Sequence, residues 1–580
     1  MAATNGNGKA IPAAYPPPVQ SPDEFVKREL DGEDDRIEVG VAIVGGGTAG
    51  LACANRLLQL LAEDTEAGGD LMARLGEVPV AVIEKAKTCG GHNLSGAVMR
   101  PGPLEELFPD MTREDWRAQG FAYGEVEKEA VYMTPSSKIS LRIPTPPPFK
   151  NHGNEVISVA ALARYQAQQA EEAGAYILTE TAATQLLVED GVVRGVRSGD
   201  KGRGRDNEEL GNFEPGADVV AQATVLAEGV QGMLTQAAIE RFELTPENPQ
   251  IYALGVKEVW RVPKPLHRVI HTLGWPLKPG KRYHEFGGSF IYPMGDEMLC
   301  IGLVCGLDTA DASVSVHDLL QELKLHPLVR ALLEGGERIG WGAKAIPEGG
   351  FFSLPASVSM PGAVVLGDAA GFVNVPRLKG VGYAVRSGML AAESIYHALA
   401  AGRDPREPGV LSSYDAAVGS SEIYDDLHRY RNTRQLFTNG LVRGGLLGGA
   451  NDALFGEFPP GRLATHPDAE QELFDGKRRY SERDGTLTFD KLSSVYLSGN
   501  RSRDDQPDHL RVARQVAPEV AQAWASMCPA AVYEVGEAVG AGLVELKVTP
   551  SNCVHCGAIT AKGGRLTPPE GGSGPEYTLT

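Results

Sequence analysis

The sequence has 580 residues, 42% hydrophobic and 22% charged, an ordinary globular balance with room for two or three domains. Its 55 basic and 75 acidic residues leave a formal net charge of -20, which excludes a nucleic-acid surface built from basic stripes. Seven cysteines at this length exclude a disulfide framework and suit a reducing, cytosolic compartment.

Met1 to Gln20 is rich in Gly, Ala and Pro and carries neither a secretory nor a transit pattern. It reads as the start of a disordered tail covering residues 1–36. No apolar run reaches the length of about 18 residues that a membrane span needs. The expectation is a cytoplasmic protein with no more than peripheral contact at the inner face of a membrane.

Ile37 to Val44 is rich in β-branched residues and ends apolar, as a buried parallel strand does. Gly45-x-Gly47-x-x-Gly50 follows and opens a helix through Leu51, Ala54, Leu57, Leu58 and Leu61. In such a motif Gly45 permits the tight turn, Gly47 lets a pyrophosphate approach, and Gly50 lets the helix pack on the strand. A second apolar strand, Val78 to Ile83, ends in Glu84, placed to hold a ribose hydroxyl. The ligand at this point is an adenine dinucleotide, FAD or NAD.

Val156 to Gly174 reads as an amphipathic helix, and Gln185 to Val196 as a hairpin turning at Asp190-Gly191. Lys201 to Pro215 reads as a charged loop. Asp218 to Ala227 is an apolar strand ending in Glu228-Gly229. This succession resembles FAD-dependent oxidoreductases and moves the ligand towards FAD. Tyr252 to Val262, Arg282 to Pro293 and Leu299 to Gly306 read as antiparallel strands of a second domain. Gly362 to Leu366 is a strand leading to Gly367-Asp368, whose carboxylate would meet the ribityl or pyrophosphate region. Gly380 then opens a helix running to Ala400, with its amides facing the flavin's pyrimidine end.

Several stretches together resemble electron-transfer flavoprotein–ubiquinone oxidoreductases. They include Glu84-Lys85, Leu94-Ser95-Gly96-Ala97, His271 to Leu277, Gly287-Gly288, Phe372 to Pro376, Cys528-Pro529-Ala530 and Asn552-Cys553-Val554-His555-Cys556. The likeness covers roughly residues 38–580 in one order. It implies an α/β fold with three parts. A Rossmann-like FAD-binding domain would take residues 37–110, 155–235 and 355–435. An α+β quinone-binding domain would take 111–154 and 236–354. The segment 436–580 would carry a small ferredoxin-like iron–sulfur domain over about 490–580.

The resemblance implies electron-transfer flavoprotein and ubiquinone as partners, with Gly45, Gly47, Gly50, Glu84, Lys85, Glu228, Gly229, Gly367, Asp368 and Gly380 at FAD. Gly287 and Gly288 would line the quinone. Cys528, Cys553 and Cys556 would be ligands of a [4Fe–4S] cluster. The family's fourth cysteine is Ile559 here, and isoleucine cannot bind iron. The thiols could hold a [3Fe–4S] cluster, a [4Fe–4S] cluster with an exogenous ligand, zinc together with a histidine, or nothing. His555 sits between two of them and is expected to point elsewhere. The family's apolar membrane segment corresponds to Asn439 to Ala450, interrupted by Arg443 and weakened by five glycines. It reads as a shallow interfacial face or a Gly-rich loop. No side chain stands out as a catalytic base, which suits electron transfer. The alternative is a related FAD enzyme of the geranylgeranyl-reductase type with a degenerate iron–sulfur domain.

Overall fold

The structure is a computed structural model that describes residues 10–18 and 22–580. Two large sheets organise it. In the first, Arg36–Val44 lies parallel to Asp218–Leu226 on one side and to Val80–Ile83 on the other. Tyr176–Leu178 extends it beyond Val80–Ile83, and the hairpin Ala183–Glu189 with Val192–Ser198 extends it the other way. Ala363–Val365 pairs in parallel with the end of Asp218–Leu226. The central strands are near-continuous apolar runs because both faces are covered. Helices Thr48–Glu66, Val159–Glu172 and Val381–Ala400 pack together against the sheet.

The second sheet runs in the order Glu337–Pro347, Tyr252–Arg261, Met298–Gly306, Gly287–Met294, Val269–Gly274, Glu129–Thr134 and Leu141–Ile143. Only the pair Val269–Gly274 and Glu129–Thr134 is parallel. The C-terminal part holds the helix Pro518–Met527 and a ribbon, Tyr533–Gly540 with Leu543–Val548. Its last residues lie back across the first domain. Gly572 N–H donates to Lys85 O, Tyr577 N–H to Gly91 O, and Ala160 N–H to Thr580 O.

Three expectations need correction. Of the stretch read as a disordered tail, residues 1–9 and 19–21 lie outside the described residues. The rest is built into the fold. Ala10 bridges Leu473, and Tyr15 is buried in the second domain's core. Val26–Lys27 pairs with Leu186 and Leu187, and Lys27 Nζ donates to Asp218 at 2.8 Å. Lys201 to Pro215 is not a loop but contains a two-stranded ribbon, Lys201–Arg203 with Glu209–Glu214. The Gly-rich segment is not a loop but the helix Leu441–Ala453, with Val442 and Leu446 exposed along it and Leu454 and Phe455 exposed just beyond its end. Among the described residues no helix is long and apolar enough to cross a membrane.

The second sheet buries an ion network. Glu258 accepts from Lys324 Nζ at 2.7 Å, Trp260 Nε1 at 2.8 Å, Gln321 Nε2 at 3.0 Å and Arg338 Nη1 at 3.3 Å. Burial pushes its carboxyl pKa up, but Lys324 and Arg338 outweigh that and hold it down at about 2. A folded-state pKa below the unfolded one stabilises the fold above the ordinary carboxylate range. That stabilisation is lost as the pH falls towards 2. Glu258→Ala leaves two buried cations without their anion and is expected to cost about 3–5 kcal/mol in urea unfolding at neutral pH. A cost below about 1 kcal/mol, the range of an exposed pair, would contradict this account of the network.

Candidate functional site

A cavity of about 350 Å³ opens where the carboxyl ends of the first sheet's parallel strands meet the face of the second sheet. This is where ligands bind in open α/β sheets. Gly45, Gly47, Glu84, Lys85, Glu228, Gly229, Asp368 and Gly380 all line it. Gly50 and Gly367 do not line it. Gly50 acts on the turn itself, where a Cβ would stand 2.2 Å from Gly45 O. Gly45 has φ +111°, and a Cβ there would stand 2.3 Å from Ala227 O. Gly47 differs: a Cβ would meet only the Asn93 amide group, no nearer than 3.4 Å. The room beside Gly47 is therefore the cavity itself. Helix Thr48–Glu66 begins at this point, and helix Val381–Ala400 brings Val381, Gly382 and Ala384 to the opposite wall.

Two acidic residues are occupied by the protein's own backbone. Glu84 accepts from Gly46 N–H and Ala86 N–H, both at 2.7 Å. The carboxylate expected to hold a ribose hydroxyl thus also braces the turn, and it still lines the cavity. Glu228 accepts from Thr235 N–H at 2.7 Å and Leu234 N–H at 3.2 Å, anchoring the start of helix Met233–Arg241. Asp368 is different. Its carboxyl faces the cavity, and burial raises its pKa to about 6 although Lys344 opposes the shift.

Three lysines on the wall were missed by sequence reasoning. Lys257 is 1% exposed and donates to Ser95 O at 2.8 Å. Lys379 is 8% exposed and donates to Asn151 Oδ1 at 2.7 Å. Lys344 donates to His555 O at 3.1 Å. Among the described residues none of the three has a carboxylate within ion-pair distance. Burial is the main cause that holds Lys379 down at about 7 and Lys344 at about 8, and it lowers Lys257 as well. The available signal was a lysine among apolar neighbours in the strand Tyr252–Arg261, at Val256-Lys257. Phe290 and Tyr292, stacked with ring centroids 5.0 Å apart, complete the far wall.

Gly287 lines a separate, smaller cavity of about 20 Å³ with His284, Phe286, Arg434, Phe437 and Leu441. The pair Gly287-Gly288 also has a reason internal to the sheet. A Cβ would stand 2.0 Å from Val304 O at Gly287 and 2.7 Å from Thr272 O at Gly288.

Cys528, Cys553 and Cys556 lie near one another in the C-terminal part, as free thiols. Ile559 is 5% exposed and packs in the core beside Val512. His555 does not point away as expected. Its backbone takes the left-handed conformation, φ +49°. Its ligand nitrogen, Cys553 Sγ and a nitrogen of His509 all lie within 4.8 Å of one another.

A doubly wound sheet with a glycine turn at its strand ends, closed by a second sheet, is the fold of FAD-dependent oxidoreductases. A geranylgeranyl bacteriochlorophyll reductase-like protein from Thermoplasma acidophilum shares it, with a TM-score of 0.52 at 19% identity over 73% of this chain and 92% of that one. Residues 252–346 match the ubiquinone-binding domain of electron transfer flavoprotein–ubiquinone oxidoreductase. Residues 485–578 match that family's 4Fe-4S domain. The electron transfer flavoprotein-ubiquinone oxidoreductase of Pseudomonas aeruginosa is 37% identical, over 94% of this chain and 99% of the relative. The mitochondrial one of Arabidopsis thaliana is 36% identical, over 94% and 85%. The chain belongs to the electron transfer flavoprotein–ubiquinone oxidoreductase family.

The glycines separate by experiment. Gly50→Val forces a side chain against the Gly45 carbonyl and is expected to lower the melting temperature sharply. Gly47→Val points into open space and is expected to melt near the wild-type temperature when both are stripped of ligand. Equal destabilisation by the two changes would contradict the division of roles.

Proposed function

We propose that this chain takes electrons from reduced electron-transfer flavoprotein onto FAD held in the large cavity, and passes them to ubiquinone. The observation that carries the reading is the cavity itself, walled by the strand–turn–helix on one side and the quinone-domain sheet on the other. FAD fits its donors. The space a Cβ would fill at Gly47, and the amides opening helix Thr48–Glu66, suit a pyrophosphate. Asp368 is positioned to accept from sugar or ribityl hydroxyls. Lys257 and Lys379, without carboxylate partners, suit the electron-rich end of a reduced isoalloxazine.

FAD supplies the redox chemistry when bound. The protein's part is to hold and orient it, keep water away with Phe290 and Tyr292, and supply positive charge. Reducing a quinone takes two electrons and two protons, the electrons coming from the flavoprotein donor and the protons from water. The small cavity at Gly287 is the reading for the quinone ring, and it would have to widen to admit one. The exposed apolar side chains around helix Leu441–Ala453 suit shallow contact with a membrane holding the quinone. For the iron–sulfur cluster implied by the family, Cys528, Cys553 and Cys556 would supply three corners. Ile559 offers no fourth, so the set does not complete a four-thiolate cluster, and no step is routed through one.

Purified protein is expected to transfer electrons from reduced electron-transfer flavoprotein to a ubiquinone analogue at steady state. Gly47→Val should hold little flavin and lose this turnover. Flavin-replete wild type that reduces no quinone would overturn the reading.

Flavin affinity should also depend on pH. The ligand-free Asp368 carboxyl is held up at about 6. Hydrogen bonds from bound hydroxyls favour its ionised form. Affinity is therefore expected to rise as the pH approaches 6 from below and to level off above it. Asp368→Asn should give a flat profile over the same range. Identical profiles for the two proteins in equilibrium dialysis would contradict the role.

A further inference from the structure

The three buried donors at Cys553 are arranged by separate parts of the chain. Cys553 follows the short turn Pro550–Asn552, its N–H donating to Pro550 O at 2.9 Å. His555 follows two residues later in the left-handed conformation, its N–H directed at Cys553 Sγ at 3.4 Å. His509 comes from 44 residues earlier in the sequence, just before the strand Leu510–Arg511. Its carbonyl is pinned by Thr567 N–H at 2.8 Å and Thr567 Oγ1 at 3.0 Å. That fixes the backbone from which the ring projects.

The exposures are 8% for Cys553, 2% for His509 and 1% for His555. All four ring nitrogens of His509 and His555 are buried without a hydrogen-bond partner. A buried polar group that nothing satisfies keeps its full desolvation penalty. A third ring, His92, stands edge-on to His555 at 5.3 Å; its Nε2 lies 3.1 Å from Ser573 O, its Nδ1 is buried without a partner among the described residues, and it does not belong to the donor group. Two imidazoles that find no hydrogen-bond partner among the described residues converge with a thiol, and together they form a metal-ligand set. The spacing agrees. Metal–ligand bonds of about 2.0–2.3 Å put tetrahedral donors roughly 3.5 Å apart, which side-chain rotation reaches from separations within 4.8 Å.

We propose that His509 and His555 join Cys553 in holding a thiophilic transition metal, iron or zinc, at this point. Either imidazole could supply the one donor that Ile559 withholds. Imidazole is a known ligand of both a lone zinc ion and an iron of a cluster. The assignment stands on the C-terminal residues alone and is independent of the flavin reading.

The test is metal and acid-labile sulfide analysis of anaerobically purified full-length chain, with absorption spectra and bound flavin measured on the same samples. Wild type is compared with His509→Ala, His555→Ala and His509→Cys. Wild type is expected to hold metal in stoichiometric amount, and both alanine variants to lose most of it while keeping their flavin. His509→Cys restores a donor and should retain the metal, with a shifted visible spectrum where that metal is iron. Iron accompanied by sulfide would identify a cluster with a histidine-ligated iron. Zinc without sulfide would identify a lone ion. Loss of flavin together with metal in an alanine variant is read as misfolding, and the metal retained by His509→Cys, with a shifted visible spectrum where it is iron, then decides. The proposal is overturned if the alanine variants keep wild-type metal, or if His509→Cys loses its zinc or, where the metal is iron, keeps an unshifted visible spectrum. It is overturned equally if wild type stays metal-free after anaerobic incubation with zinc and, separately, with iron and sulfide.

Discussion

The close approach of the turn at residues 45–50 to the end of the strand Asp218–Leu226 is the constraint on which the site depends. At Gly45 the backbone lies so near Ala227 O that no side chain can intervene. Gly50 lets the helix Thr48–Glu66 start directly over the turn, and Gly388 repeats the device one layer out. A Cβ at Gly388 would stand 2.3 Å from Ala49 O, so helix Val381–Ala400 can lie against helix Thr48–Glu66. Glu84 fastens the arrangement by accepting from the Gly46 amide. Two helix N-termini thereby converge on one cavity, and the converging amides form an anion site before any side chain contributes.

Electrostatics inside the cavity run against those of the whole chain. The formal net charge is -20, yet Lys257, Lys344 and Lys379 face or border the cavity with no carboxylate partner among the described residues. Keeping cations in a low-dielectric wall costs free energy, seen in the lowered pKa of all three. Such a cost is tolerated where an anionic ligand offsets it. The C-terminal residues contribute too, because Gly572 and Tyr577 bond to the loop between Lys85 and Gly91. Lys344 links the two regions through its bond to the His555 carbonyl.

Much of this was legible in the sequence where the signal was local. The strand, glycine turn and helix at 37–61 were readable because spacing and apolar periodicity agree there. So were the Asp190-Gly191 hairpin and the strand leading to Gly367-Asp368. What escaped depended on partners distant in sequence. The bracing of the turn by Glu84 escaped because its bond to Gly46 joins residues 38 apart. Lys201 to Pro215 looked like a loop because charge hid the alternation of a two-stranded ribbon. Ala10 to Lys27 looked like tail because its partners, Leu473 and Leu186, lie far along the chain. His509 carries no local mark at all, and only the fold brings it to Cys553.

The most direct measurement of the central claim is the amount and identity of the pigment bound to the purified full-length chain. The account predicts one non-covalently bound FAD per chain, released on denaturation and identified by chromatography. A colourless protein that stays empty after incubation with FAD would contradict it.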